Sequence, residues 1–423
     1  MNITTFDSFR SRNFRLFFMG QSLSLIGTWM QKTAVSWVIY SITQSKFMLG
    51  VSVFATLFPA SVFSLFGGIV ADRYDRYKVL LTTQVLSLIQ AVLLTAAVVF
   101  FKQYVVWEII ILSAVLGIIN GFDVPARQSL VHELVDDKSN LPNALALNSS
   151  MVNLSKLIGP ALAGFILEKF GNQVCFGLNA ASFIPVITSL LLMRLPKFQP
   201  KSKTDRNIRR EFREAFAFIK ATPTISSTII FAGIMSLLVL PYTTLTPVYA
   251  KDIFNGNATT FGVIDGCIGL GAFVGAIFLA SLKPGANLSR VLATNTLIFG
   301  IGLILFSYTT LYPLALVFVT FGAFGMMSVV TISNTLIQLN VTHELRGRVL
   351  SIFVMVFAGA VPIGSLLIGA VSHYIGVQAT VLTEGIIALL VATLYARYLK
   401  KQVLRKRRAA ALDKPPQEVL IQA

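Results

Sequence analysis

The sequence has few of the residues that build disulfide, metal and nucleotide sites. Its 423 residues include two cysteines, Cys175 and Cys267, and three histidines. Disulfide frameworks and zinc sites need more of these residues at regular spacings. Neither the Gly-x4-Gly-Lys-Ser/Thr loop that cradles nucleotide phosphates nor a His-Glu-x-x-His motif occurs. The composition therefore disfavours a disulfide-rich domain, a protein driven by ATP hydrolysis and a zinc enzyme. It predicts neither a cofactor nor a metal.

Charge is also scarce. Charged residues make up 13% of the chain, against about 25% in soluble domains. Hydrophobic residues make up 55% and the mean hydropathy is +0.74. Repeated apolar runs of about 20 residues need a bilayer to shield them. A net charge of +17 could indicate nucleic-acid binding in a soluble protein. Here the basic residues follow apolar runs in loops and tails, which is typical of membrane orientation.

The order of apolar and polar segments predicts an all-α membrane protein with twelve transmembrane helices in two six-helix bundles. The predicted domains are an N-terminal bundle (1–195), a basic cytoplasmic linker (196–222), a C-terminal bundle (223–402) and a basic cytoplasmic tail (403–423). The predicted spans are 14–40, 47–71, 79–101, 105–127, 141–168, 173–195, 223–250, 259–282, 288–308, 312–335, 349–372 and 377–399. The first is too long for a signal peptide and is expected to be retained.

The distribution of basic residues orients these spans. Four lysines fall on one set of loops and two within spans, while all other Lys and Arg residues fall on the side of the termini. The positive-inside rule makes that side cytoplasmic. We therefore expect a multi-pass protein of a bacterial inner membrane with both termini in the cytoplasm.

The two halves of the chain share a pattern of glycines. Four glycines of the first half recur in the second half exactly 205 positions later. They are Gly117, Gly159, Gly164 and Gly171, matched by Gly322, Gly364, Gly369 and Gly376. One match would mean little in membrane helices, but four at one offset predict a six-plus-six internal repeat.

A charged hinge separates the second and third predicted spans. Five of the seven residues in 72–78 (DRYDRYK) are charged, and Gly68 precedes them. The positive-inside rule explains Arg and Lys there, but not Gly and Asp at fixed offsets. The stretch resembles the cytoplasmic signature of the major facilitator superfamily. Together with 27–31, 123–128 and 344–349, it resembles the subgroup of enterobactin exporters and macrolide-efflux proteins.

This resemblance implies a secondary transporter working by alternating access, with the hinge as a cytoplasmic latch. Asp72 would meet the positive N-terminal end of the eleventh helix. The predicted latch residues are Gly68, Asp72, Arg73, Asp75, Arg76 and Lys78.

In the superfamily the first, fourth, seventh and tenth helices line the cavity. Lys32 lies in the first predicted span and is a candidate contact for an anionic or carbonyl-rich substrate, with snorkelling to the interface as the alternative. The candidate substrate-binding residues are Trp29, Gln31, Lys32, Asn120, Asn153, Lys156 and Tyr242.

Some acidic residues lie inside predicted spans, where an ion is costly unless it is hydrated or paired. Asp265, Glu384 and Asp123 are the candidate proton-coupling residues. Ion pairing is the alternative for each, and Asp123 has Arg127 four residues away. Many drug–proton antiporters have an arginine midway along the fourth helix, and 111–119 contains none.

Small residues and prolines mark predicted packing faces and bends. The fifth span resembles the superfamily's antiporter signature, with generic close packing of helices as the alternative. Proline should bend the seventh span near its outer end. The residues assigned these roles are Gly159, Pro160, Gly164, Pro241, Pro247, Pro362, Gly364 and Gly369.

The sequence thus predicts a monomeric, proton-coupled exporter of an amphipathic siderophore or drug-like compound. Its partners would be that small molecule, a proton and the lipid bilayer, not nucleic acid. Import or facilitated diffusion is the first alternative, and a membrane receptor or scaffold without transport is the second. No arrangement of residues indicates an enzyme.

Overall fold

Helices account for nearly all of the regular structure. A computed structural model describes residues 4–101, 105–195, 208–283 and 285–412, and this part of the chain contains no β-strand. Residues 196–207 of the predicted linker and 413–423 of the predicted tail lie outside the described residues. The long helices are α1 (Arg12–Thr43), α2 (Lys46–Arg73), α3 (Arg76–Phe100), α4 (Val106–Leu130), α5 (Leu141–Leu191), α6 (Ile208–Ala221), α7 (Pro223–Leu238), α9 (Ala258–Ala280), α10 (Leu288–Ser307), α11 (Tyr312–Asn340), α12 (Arg346–Ile375) and α13 (Val377–Leu412), with the short α8 (Thr246–Val248) between α7 and α9.

Among the described residues, ten helical segments are long and apolar enough to cross a membrane. The protein is therefore an all-helical, multi-pass membrane protein. α1 is not among the ten, and one of them, Lys138–Leu191, is 54 residues long. At about 1.5 Å per residue that segment is far longer than one crossing requires.

A backbone break divides α5. Gly171 has φ 84° and ψ 174°, which is outside helical geometry. Gly376, between α12 and α13, has φ 86° and ψ 160°. This left-handed region is open to glycine at little cost because it has no Cβ. The last pair of the predicted glycine repeat therefore has the same unusual backbone conformation in both halves.

The segment from α7 to α9 is interrupted twice. α7 ends at Leu238, a 3-10 helix runs over Leu240–Leu245, and a π-helix follows α8 over Tyr249–Ile253. Pro241 and Pro247 lie in this stretch, and proline removes a backbone donor and clashes with the preceding turn. The predicted seventh span is therefore a continuous α-helix only as far as Leu238, and the rest of it is irregular helix.

The N-terminal helices α1–α5 and the C-terminal helices α7–α13 pack mainly within themselves. Buried apolar clusters join α1 to α3, α4 and α5 on one side, and α7 to α10, α11 and α13 on the other. The two groups meet chiefly along two seams, α5 against α9 and α2 against α12. These seams frame the space between the groups.

Candidate functional site

The space between the two groups of helices, framed by the two seams, is here called the cleft. The side of the chain termini is called the terminal side, and the opposite side is called the far side. At the far side a Cβ added to Gly262 would come within 2.8 Å of the Gly164 Cα. Midway along, a Cβ on Gly269 would come within 2.8 Å of the Leu157 Cα. Gly275, on another face of α9, packs against Phe324 of α11. Close α5–α9 contacts thus run from the far side to the middle of the seam.

The second seam follows the same pattern. Near the far side the Lys46 Nζ donates to the Ser372 carbonyl (3.2 Å). Midway, the Ser61 Oγ donates to the Ala358 carbonyl (3.0 Å). Both contacts lie between the far side and the middle of this seam.

Two lysines share one aromatic ring in the middle of this cleft. The Lys32 Nζ lies 4.5 Å from the centroid of the Trp29 ring, and the Lys156 Nζ lies 5.6 Å from the same centroid. Cations over an indole face are stabilised by the ring quadrupole. Lys32 is exposed although it lies well inside α1, because its side chain faces the cleft. Helices α1 and α5 thus bring two predicted substrate contacts together around a third, Trp29.

Close packing at Gly159 holds this group in place. A Cβ on Gly159 would come within 2.5 Å of the Trp29 Cβ. Only a residue without a side chain allows α5 to approach α1 at this point. The glycine thereby fixes Trp29 against the helix that carries Lys156.

Asp265 supplies the opposing charge from α9. Its Oδ1 accepts a hydrogen bond from the Thr246 hydroxyl (3.0 Å). Its charge acts on Lys32, although the two groups form no direct ion pair in the described structure. Two lysines and one carboxyl group therefore lie close to one another between the two groups of helices.

Glu384 of α13 lies deeper, within the C-terminal helices. Its side chain is 1% exposed, and neither carboxyl oxygen has a hydrogen-bond partner among the described residues. The hydroxyl of Tyr242 is also buried without a partner in that part of the chain. The Tyr242 phenol lies within electrostatic range of both Glu384 and Asp265. Tyr242 is thus close both to Glu384, in the core of the C-terminal helices, and to Asp265, at the cleft.

The other candidate residues lie elsewhere. Gln31 is buried among α1, α3 and α5, where its Oε1 accepts from the Asn179 Nδ2 (2.5 Å) and its Nε2 donates to the Gln90 Oε1 (3.3 Å). Asn120 and Asn153 are half-buried, and the Asn153 Nδ2 donates to the Ser149 carbonyl (3.0 Å). The structure does not group these three with Lys32.

Asp123 has a full set of partners. Its Oδ1 accepts from the Gln84 Nε2 (2.7 Å) and the Thr83 hydroxyl (2.9 Å), and its Oδ2 lies 3.3 Å from the Arg127 Nε. Hydrogen bonds from such donors and from a cation to a buried carboxylate are among the stronger ones in proteins. These contacts join α3 to the terminal-side end of α4.

The charged hinge between α2 and α3 is held within the N-terminal helices. The Asp75 carboxylate caps α3 by accepting from the Tyr77 N–H (3.1 Å). Arg76 donates to the Ala71 carbonyl (3.0 Å) and forms an ion pair with Glu133. Asp72 is exposed and makes no ion pair with any described residue. No contact from Asp72 to α12 is therefore formed in this conformation.

The far side carries a polar lock that the sequence reading missed. Tyr40 of α1 donates a hydrogen bond to Asp252 of the π-helix, and the Lys251 Nζ lies 5.8 Å from the Tyr40 ring centroid. Next to it the rings of Trp37 and Phe261 stack at 5.9 Å. Lys251 and Asp252 stand at the end of a predicted span, and nothing near them in the sequence indicates this role. Tyr40, the partner of Asp252, lies 212 residues away in sequence. The lock joins the two groups of helices where the cleft is closed.

The remaining packing residues lie on the same seams. Gly369 of α12 packs against Gly50 of α2, and a Cβ on it would come within 2.8 Å of the Lys46 carbonyl oxygen. Gly364 packs against Pro241, to which an added Cβ would come within 2.7 Å, and Pro362 is buried beside it in α12. These residues bring α12 close to α2 and to the broken segment after α7.

Comparison with protein families identifies relatives of the whole chain. A family model of the major facilitator type, described as transmembrane secretion effector, matches residues 3–422. The staphyloferrin A transporter of Staphylococcus aureus is 24% identical over 383 residues, covering 90% of this chain and 95% of that protein. Macrolide efflux protein A of Streptococcus pyogenes is 24% identical over 88% of this chain and 92% of its own length. The enterobactin exporter EntS of Shigella boydii is 26% identical, with 90% of each chain covered.

Solved structures show the same fold. A bacterial homologue of the lysosomal transporter Spinster, in an inward-facing and unoccupied conformation, superposes with a TM-score of 0.67 at 14% identity, covering 93% of this chain and 97% of that one. A POT family transporter in complex with 5-aminolevulinic acid gives a TM-score of 0.72 at 14% identity, with 92% and 96% covered. At this identity the likeness concerns the fold alone.

Proposed function

The chain belongs to the transmembrane secretion effector family of the major facilitator superfamily, and from this we propose that it is a proton-coupled exporter of an amphipathic anionic compound. The family consists of transporters, not enzymes, and its relatives include siderophore and macrolide exporters. The proposal that the substrate is anionic rests on the pair of lysines around Trp29 in the cleft.

We propose twelve membrane crossings in a six-plus-six arrangement. Ten segments are apolar enough by themselves. The break at Gly171 divides α5 into two crossings, which gives eleven. α1 adds the twelfth, because its 32 residues extend about 48 Å. Its low hydropathy comes from polar residues such as Gln21, Ser24 and Gln31, which are buried against protein instead of lipid.

An even number of crossings places both termini on one side of the membrane. The excess of Lys and Arg on that side makes it cytoplasmic. The cleft is then open to the cytoplasm, from which an exporter collects its substrate. The chemistry of the cleft favours a carboxylate or catecholate, since two cations against one carboxylate leave a net positive charge. A carboxylate bound by either ammonium group forms a charge-assisted hydrogen bond.

Proton coupling is supported by the buried carboxyl groups. Neither carboxyl oxygen of Glu384 has a hydrogen-bond donor among the described residues, and burying a carboxylate without a partner is costly. Asp265 lies at the cleft and acts electrostatically on Lys32. Protonation or deprotonation of Glu384 or Asp265 would change the net charge around the bound substrate.

Alternating access is supported by the arrangement of contacts. The far side is closed by the Tyr40–Asp252 lock, while Asp72 at the terminal side has no ion pair among the described residues. In the opposite conformation Asp72 would meet the N-terminal end of α12, whose dipole attracts an acid. The Tyr40–Asp252 contact would form in one conformation and the contact of Asp72 with α12 in the other.

Transport in everted membrane vesicles tests this function. Vesicles containing the protein are supplied with ATP to generate a proton gradient and offered carboxylate siderophores, catecholate siderophores and a cationic macrolide. We expect uptake of an anionic compound that a protonophore abolishes. Protonophore-insensitive equilibration would instead identify a facilitator, and uptake of the macrolide alone would contradict the anionic substrate class.

A further inference from the structure

The amphipathic helix α6, between the two groups of spans, has no role in the cleft. It is anchored on the terminal side by one apolar edge. Ala215 and Ile219 are buried against the ends of α7, α11 and α12, in a cluster that includes Ile229, Ile337 and Ile352. The Arg348 Nη1 lies 3.0 Å from the Glu214 Oε2, which ties α6 to the first turn of α12. The helix is therefore fixed next to the ends of three membrane spans.

A second apolar edge of α6 is left exposed. Phe212 is 40% exposed and Phe216 is 63% exposed. The two are four residues apart, so they lie on one face. Arg213 and Lys220, three residues before and four after Phe216, flank that face and are both exposed. An aromatic edge bordered by cations is the pattern of a helix that lies in the membrane interface.

We propose that α6 binds the membrane surface and recognises anionic phospholipids. Phe212 and Phe216 would enter the boundary between headgroups and acyl chains, while Arg213 and Lys220 would contact lipid phosphates. The position of α6 beside three span ends puts these side chains at headgroup depth. The cytoplasmic leaflet carries anionic lipids that attract such cations, and the assignment to that leaflet rests on the topology proposed above.

Insertion is tested by a depth measurement in the full-length protein. Single cysteines replace Phe216, or Ala217 as the control on the neighbouring face, in a background where Cys175 and Cys267 are alanine. After nitroxide labelling and reconstitution in phosphatidylcholine–phosphatidylglycerol nanodiscs, paramagnetic relaxation by oxygen and by a water-soluble nickel chelate reports depth. We expect the label at 216 to be reached by oxygen and shielded from nickel, and the label at 217 to be open to nickel. Equal access of nickel to both would overturn the proposal. Phe212→Cys serves as a second probe if the 216 variant is unstable.

Lipid selectivity is tested by native mass spectrometry of the detergent-solubilised protein with added phosphatidylglycerol. The variant Arg213→Gln/Lys220→Gln is compared with Lys283→Gln/Arg290→Gln, which removes one lysine between α9 and α10 and one arginine in the first turn of α10. We expect phosphatidylglycerol retention to fall roughly five-fold for each α6 charge removed, with little change in the control. Equal losses in the two variants would show nonspecific attraction and contradict the proposal. Neither readout involves transport, so failure of the proposed export function leaves them interpretable.

Discussion

Glu384 and Asp123 are both buried acids within spans, but their surroundings differ. Asp123 has three side-chain partners, including Arg127. Neither oxygen of Glu384 has a partner in the described structure. Buried charges persist where they are paired and hydrogen-bonded, whereas an unpartnered carboxyl group is costly to ionise. The contacts therefore favour a structural role for Asp123 and a proton-carrying role for Glu384.

Replacing Asp123 by asparagine should reduce stability because it leaves the Arg127 guanidinium, whose side chain is 11% exposed, without its counter-charge. Breaking one side of a buried ion pair costs about 3–5 kcal/mol. Thermal unfolding in detergent measures the effect, and Asp123→Asn/Arg127→Gln should recover part of the loss. A fully stable Asp123→Asn variant with altered proton coupling would restore Asp123 as a coupling residue.

Replacing Glu384 by glutamine should uncouple transport from the proton gradient while the protein still folds. The amide has nearly the shape of the protonated acid but cannot release a proton. In everted vesicles we expect substrate entry to continue only down its own gradient and to become insensitive to a protonophore. Glu168→Gln, at an exposed acid of α5, is the control that should keep normal coupling. Unchanged gradient-driven accumulation in Glu384→Gln would exclude this residue as the coupling site.

Replacing Lys156 by glutamine should weaken binding of an anionic substrate roughly ten-fold or more, since a hydrogen bond to a charged group is worth about 1.5–3 kcal/mol. Binding can be followed by fluorescence of Trp29 in a protein whose other two tryptophans, Trp37 and Trp107, are phenylalanine. Lys169→Gln, at an exposed lysine of α5, is the control. Equal affinity in the Lys156 variant and the control would remove Lys156 from the site.

The sequence predicted the charges within the spans but not what surrounds them. Apolar spans make Lys32, Asp265 and Glu384 conspicuous because ions are rare there. Whether such a residue has a partner depends on contacts between distant helices, such as those of Asp123 with α3. The lock between Tyr40 and Asp252 was out of reach for the same reason.

At the scale of helices, glycine seams decide how closely the two groups can approach. Gly262 of α9 and Gly164 of α5 pack backbone to backbone at the far side. Gly359 of α12, in contrast, has open space where a Cβ would lie. A side chain would therefore clash at Gly262 of α9 but not at Gly359 of α12.

Replacing Gly262 by alanine should loosen the far-side seam, since the added Cβ would lie 2.8 Å from the Gly164 Cα and the backbone would have to shift. Alkylation of Ala258→Cys, a buried position that packs against Gly164 on this seam, should become faster in this variant when Cys175 and Cys267 are replaced by alanine. Gly359→Ala should leave that rate unchanged. Equal rates in both variants would show that the seam does not govern far-side closure.

Helix positions were the most predictable part of the fold, because a hydrocarbon layer fixes the length of each apolar segment. The predicted 47–71 corresponds to α2 and 288–308 to α10. The boundary between the fifth and sixth predicted spans coincides with the break at Gly171. The 3-10 and π segments after α7 could not be placed in detail, because proline predicts a break but not its shape.

On the scale of the whole molecule, the contacts described between the two groups of helices lie between the far side and the middle of the seams. Alternating access requires a second conformation in which this is reversed. Rigid movement of one group against the other would open the Tyr40–Asp252 lock and bring Asp72 toward α12. The two sides of the cleft would therefore change together but in opposite directions.

Distance measurements by double electron–electron resonance test this most directly. One spin-label pair replaces Tyr74 and Lys283 at the terminal side, and a second replaces Phe101 and Leu311 at the far side, in a background without the native cysteines. Each pair is measured in the wild-type background and with Glu384→Gln, at acidic and alkaline pH. The account predicts that the far-side distance lengthens whenever the terminal-side distance shortens, with the pH dependence lost in the Glu384 variant. Two distances that stay constant, or that lengthen together, would contradict it.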